Sequence, residues 1–172
     1  MKAKVLRILF LLGLLAPNIG LAQQAGLSML IGRLQNSDTS DDAVKEIEAA
    51  SPELKDAVKD KLCPLIRGEK TDVVLNNEIK LAGDLKAVNC TPDLVFIFVK
   101  GDLLPTGVTT TMRWHMVDDP TGRALVQIGD PVIPYMKKLL TSNQKEDREK
   151  AIRVLGNIKS PAALNALKEH RN

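Results

Sequence analysis

The stretch "ALVQIGDPVIPYMKKLL", residues 124–140, decides the fold. It sets Gly129, Asp130, Pro131 and Pro134 inside sequence that otherwise reads as helix. A glycine can close a helix in the left-handed conformation, or let a neighbouring backbone come close. An aspartate at N-cap accepts a hydrogen bond from the first free backbone N–H groups. Proline just behind it supplies a preset φ and lacks an N–H that would have no partner anyway. One helix is therefore expected to end at Gly129 and the next to start at Asp130. Pro134 falls in the first turn or just past it, where at most one ladder bond is lost.

The same punctuation recurs. Ser51-Pro52, Thr91-Pro92 and Ser160-Pro161 repeat the Asp130-Pro131 signal. Apolar residues follow each start at helical spacing: Leu54 and Val58; Leu94, Val95 and Phe98; Ile133, Met136 and Leu140; Leu164 and Leu167. Before three of the starts lie "EIKLAGDLK" (78–86), "ALVQIGD" (124–130) and "AIRVLGNIK" (151–159), which align on Gly83, Gly129 and Gly156. Ile79, Leu125 and Ile152 stand four residues before each glycine, and Ala82, Ile128 and Leu155 one before. Calling the helices after the proline starts A and those ending near glycine B, the order is A 52–66, B 72–86, A 92–99, B 119–129, A 131–141, B 145–158 and A 161–169. A hairpin with one apolar stripe per helix cannot bury that stripe alone, whereas stacked hairpins can, which gives an α-solenoid. An irregular helical bundle with a chance glycine alignment is the competing reading. The glycines are 46 and 27 residues apart, so the first interval carries an insertion.

Composition agrees with helices. The 172 residues are 3% aromatic, and the apolar content is Leu, Val, Ile and Ala. At the N-terminus Lys2, Lys4 and Arg7 precede the apolar run "ILFLLGLLA", then Pro17 and the small residues of "GLA" before Gln23. This is the pattern of a secretory signal peptide over 1–22, too short for a comfortable membrane span. A buried N-terminal helix is the alternative. The signal holds three of the 24 Lys and Arg, so 21 remain against 21 Asp and Glu. A neutral mature chain lacks the basic excess of a nucleic-acid binder, or a motive to sit on an acidic membrane. The expected protein is exported, periplasmic or extracellular, with no stable membrane anchor after signal removal.

The stretch "ALVQIGDPVIPYMKKLL…DREKAIRVLGNIKSPAALNALK" resembles HEAT repeats of the short kind shared with phycobilisome lyases, through the "IGDP-V-IP" turn, Arg148 early in a B helix, and "LGNIKSPAAL". The likeness is strong over 120–170, weaker over 51–99 and absent over 23–50 and 100–118. It implies an all-α fold: an α-solenoid of about three HEAT-like hairpins over 51–172, with an insertion at 101–118 in the second. It also implies a protein-binding scaffold, since few such repeats host enzymes. Residues 23–50 read as a helical N-terminal cap, with Ser40 as N-cap of "DDAVKEIEAA". The polar Asn165, Lys168, Glu169 and His170 suit a solvated last helix, and a truncated repeat meeting a partner is the sharper alternative.

The insertion holds the only Trp and one of the two His. Arg113, Trp114, His115 and Met116 are the candidate partner-binding residues, because Trp and Arg are enriched in binding hot spots and loops carry function. Packing of Trp114 over the solenoid edge is the plainer alternative. A β-hairpin pairing 108–117 with 123–128 competes with the B helix there. Met112, His115 and Met116 at i, i+3 and i+4 would suit Cu(I) if helical, which makes a metal-handling or lyase-like protein the alternative function. No catalytic motif stands out, and Asp41, Asp42, Asp118 and Asp119 fit helix starts. No catalytic residue, cofactor or metal site is assigned. Cys63 and Cys90 should pair in an oxidising compartment. A plain hairpin, however, puts them at opposite ends, about 18 Å apart, and a disulfide needs Cα atoms within about 7 Å. A break of the helix at Pro64 would reconcile the two, and the sequence leaves both states open.

Overall fold

A computed structural model of the chain describes residues 24–68, 71–100 and 119–171. The expected signal peptide and the insertion lie outside the described residues. Those described form helices and turns, with no strand among them. The helices are α1 (24–34), α2 (Ser40–Ala49), α3 (Pro52–Ile66), α4 (Asp72–Asp84), α5 (Thr91–Lys100), α6 (Pro120–Ile128), α7 (Ile133–Leu140), α8 (Lys145–Ile158) and α9 (Pro161–Arg171). Single 3₁₀ turns, Val88–Cys90 and Asp130–Val132, lead into α5 and α7.

The proline starts are only partly caps. Ser51 Oγ accepts from Leu54 N–H at 3.4 Å, and Ser160 Oγ from Ala163 N–H at 3.1 Å. Thr91 does not cap: it lies inside α5, buried, and its hydroxyl donates to Val88 O at 2.7 Å. Asp130 makes no side-chain cap either, because the 3₁₀ turn it opens takes up the bend. Ser40 is helical and buried, and instead of capping it accepts from Asn77 Nδ2 of α4 at 2.8 Å. The start of α6 carries a further copy of the signal, Asp119-Pro120. Asp119 Oδ1 accepts from Thr121 and Gly122 N–H at 2.9 and 3.0 Å, with Pro120 next in line. Residues 120–128 are thus helix, which removes the second strand of the competing β-hairpin.

The helices stack in two layers. The B layer runs α2, α4, α6, α8, with α4 on α6 the most extensive packing among the described helices. The A helices α3, α5, α7 and α9 lie against it, α5 pairing with α6 and α7 with α8. One continuous apolar core runs between the layers, from Leu30 and Leu34 of α1 to Ala163 and Ala166 of α9. A fully buried leucine such as Leu81, Leu125 or Leu155 contributes about 1.5–3 kcal/mol by leaving water.

The repeat register is set by the bends, not by the aligned glycines. Lys86, Gly129 and Lys159 have φ of 50°, 83° and 58°, and each stands where a B helix gives way to the next A helix. Counting back from them superimposes the buried faces: Leu81, Ala124 and Val154 at the fifth residue, Ala82, Leu125 and Leu155 at the fourth. Gly83 and Gly156 therefore correspond to each other, and Gly129 to neither. In that register Ile152 is not the counterpart of Leu125 and is 43% exposed. Leu164, expected inside, is 46% exposed, and Ala163 and Ala166 carry the buried face of α9 instead.

The cysteines are joined. Cys63 and Cys90 form a disulfide with Cα atoms 5.0 Å apart. α3 does not break at Pro64; it runs on to Ile66. The bond is reached because the last turn of α3 lies beside the start of α5, where Arg67 also grips Asp93 through Nε–Oδ1 at 2.7 Å and Nη2–Oδ2 at 2.9 Å. In a plain antiparallel hairpin those two ends would be a helix length apart. The α3–α4 pair thus departs from the geometry of the later repeats.

Candidate functional site

Two surfaces stand out: the stem of the insertion and the ridge of the B layer. At the stem, α5 ends at Lys100 and α6 begins after Asp119. Phe98 is 4% exposed. Lys150 of α8 donates to Phe98 O at 3.1 Å and sits 5.8 Å from the centre of its ring. The C-terminal part of a helix carries the negative end of its dipole, so an ammonium there stabilises. On the other side of the stem, in α6, Gly122 packs against the same ring. A methyl group there would sit 3.2 Å from Phe98 Cε2 and 3.1 Å from Asp119 Oδ2. The helices on either side of the insertion are thereby tied to the core at Phe98 and Gly122. The neighbouring connection between α7 and α8 is tied as well: Ser142 Oγ donates to Asp147 Oδ2 at 2.8 Å, and Arg148 Nη1 to Ser142 O at 2.7 Å. Arg148 is the arginine singled out in the sequence, and here it closes its own turn.

The ridge is polar and bridges helices. Lys80 of α4 pairs with Glu48 of α2, and with Asp84 at 2.7 Å on its own helix. Asp84 Oδ1 in turn accepts from Gln127 Nε2 of α6 at 2.7 Å. Asn77 Nδ2 donates to Asp41 Oδ1 at 2.7 Å. Partial burial works against the charge of Lys80, but Asp84 and Glu48 outweigh it, so its pKa is raised. A raised lysine pKa stabilises the fold fully below the ordinary lysine value. The contribution fades as pH climbs through the folded value.

Arg113, Trp114, His115 and Met116, with Met112, lie outside the described residues, so the structure neither assembles nor separates them. A cleft of about 440 Å³ opens between the 35–38 turn, the end of α3 and the start of α4, with the buried Glu78 in its wall. The described residues contain no cluster of three or more His, Cys, Asp or Glu able to hold a metal. None of their helices is long and apolar enough to cross a membrane. The ridge was missed in the sequence because its residues align only once Lys86, Gly129 and Lys159, rather than Gly83, Gly129 and Gly156, mark the bends.

No curated protein and no solved structure matches the chain. Residues 147–170, α8 and α9 with the bend between them, match the family model described as the PBS lyase HEAT-like repeat. Together with the two stacked layers of helices, this match supports a HEAT-like repeat protein, and the described residues have an all-α fold consistent with a HEAT-like solenoid.

Proposed function

We propose that the protein is an exported, non-catalytic scaffold that binds another protein, with the 101–118 insertion as its principal contact. The observation that carries this reading is the stem. Lys150 and Gly122 meet Phe98 near the end of α5, and Asp119 caps α6, so the two helices that flank the insertion are tied to the core. Fixing the anchor points on either side of a binding segment lowers the ordering cost of association. Arg113, Trp114, His115 and Met116 supply the residue types that dominate such contacts. Export is supported by the leader pattern and by the pairing of both cysteines, which belongs to an oxidising compartment.

The test is cross-linked capture from the exported fraction with the purified mature protein as bait. Wild type is expected to retain a discrete partner and Trp114→Ala to lose most of it. Equal capture by the two would remove the insertion from the reading, and no capture by either would remove the scaffold.

A further inference from the structure

Counting from the left-handed bends puts Lys80, Arg123 and Arg153 at the same repeat position, six residues before Lys86, Gly129 and Lys159. All three are exposed and stand on successive stacked helices of the B layer. Lys80 is neutralised by Glu48 and Asp84. The arginines are not. Among the described residues neither forms an ion pair. The contact of Arg153 is a weak one at 3.4 Å from Nε to the Glu149 carbonyl of its own helix. The carboxylate one turn before Arg123, Asp119, has its Oδ1 occupied in capping α6. Among the described residues the basic column is thus satisfied at α4 and open at α6 and α8.

We infer that Arg123 and Arg153 form a docking ridge for an acidic, extended segment of another protein. Packed helices stand about 8–10 Å apart, which sets the spacing of equivalent residues on neighbours. A chain extended as polyproline II has three residues per turn and rises about 3.1 Å per residue, so carboxylates three residues apart lie on one face and reach both guanidiniums together. Guanidinium binds carboxylate through two parallel hydrogen bonds, stronger than a neutral pair. The balance of 21 basic and 21 acidic residues in 23–172 argues for this local match over a polyanion such as nucleic acid, which recruits a broad basic surface. The inference is independent of the insertion and goes beyond the reading proposed above.

The probe is a fluorescein-labelled dodecapeptide with glutamate at every third position and serine and alanine between, titrated by anisotropy at low salt. Wild type is expected to bind it, and the glutamine version of the peptide to bind far more weakly. The double variant Arg123→Gln/Arg153→Gln is expected to lose about tenfold in affinity. Lys61→Gln/Lys168→Gln, with the same change in charge away from the ridge, is expected to bind as wild type. Both sites are exposed, and unchanged circular dichroism checks the fold. Equal binding by the arginine variant, an equal loss in the lysine control, or equally tight binding of a thymidine decamer would each overturn the inference. Trp114→Ala is expected to bind the peptide unchanged, so failure here and failure of the insertion reading remain separable.

Discussion

Three glycines that align in the sequence do three different things. Gly83 is a contact: a Cβ there would overlap Gln127 Oε1 and come within 2.7 Å of Ala124 Cα, so α4 and α6 approach as closely as backbone permits. Gly129 is the bend itself, at φ 83° and ψ −137°, a region that side chains avoid. Gly156 has nothing within 4 Å of an added Cβ and lies inside α8, exposed. Alanine substitution is therefore expected to separate them. Gly83→Ala should destabilise by about 1–3 kcal/mol, since the overlap with a packed backbone forces helices apart. Gly156→Ala should stabilise by about 0.5–1 kcal/mol through helix propensity alone. Urea unfolding of the two variants beside wild type reads both signs, and equal effects would show that the close approach is not there. The sequence made the presence of helix bends legible, because Gly and S/T/D-Pro have direct backbone consequences. It hid their register, because at two of three bends the left-handed residue is a lysine, whose conformation costs energy and leaves no compositional mark.

The described helices follow the same logic. Boundaries at α3, α8 and the start of α9 were readable from caps and apolar spacing, and α6 from its match to the other B helices. The path of α3 was not, because sequence periodicity says which face of a helix is buried and nothing about how far the helix is skewed from its partner. The disulfide and the Arg67–Asp93 pair record that skew, tying α3 to α5 across the intervening α4. Both cysteines are buried, Cys63 at 6% and Cys90 at 0% exposure. The bond closes a loop with a sequence separation of 27, which in the chain-entropy description stabilises by about 3–4 kcal/mol. Cys63→Ala/Cys90→Ala is expected to lower the unfolding free energy by that amount. Non-reduced wild type should also weigh two hydrogens less than the reduced form by intact mass. A loss under about 1 kcal/mol, or a mass showing two free thiols, would contradict the crossing of α3.

At the scale of the molecule, a stack of hairpins distributes stability unevenly, because each repeat is held mainly by its neighbours. α4 and α6 sit in the middle of the B layer, packed on each other, on α2 or α8, and on A helices. They hold Leu81, Ala82, Ala124 and Leu125 at 0–1% exposure. α9 packs chiefly on α7 and α8, buries two alanines, and gains one exposed ion pair, Lys137–Glu169 at 2.6 Å. An exposed pair is worth about 0–1 kcal/mol, too little to replace a leucine face. Local opening should therefore cost far less at α9 than at the centre. Amide hydrogen exchange is expected to find the slowest protons in α4 and α6 and the fastest helical ones in α9, with α8 between. The gradient matters for binding, since the open arginines lie on α6 and α8 and the insertion leaves from α5 and α6. The arginine ridge then rests on or beside the most stable part of the stack, where little ordering remains to be done when a partner arrives. Protection in α9 equal to that in α4 would mean one uniformly cooperative unit, and the argument from nearest neighbours would not hold.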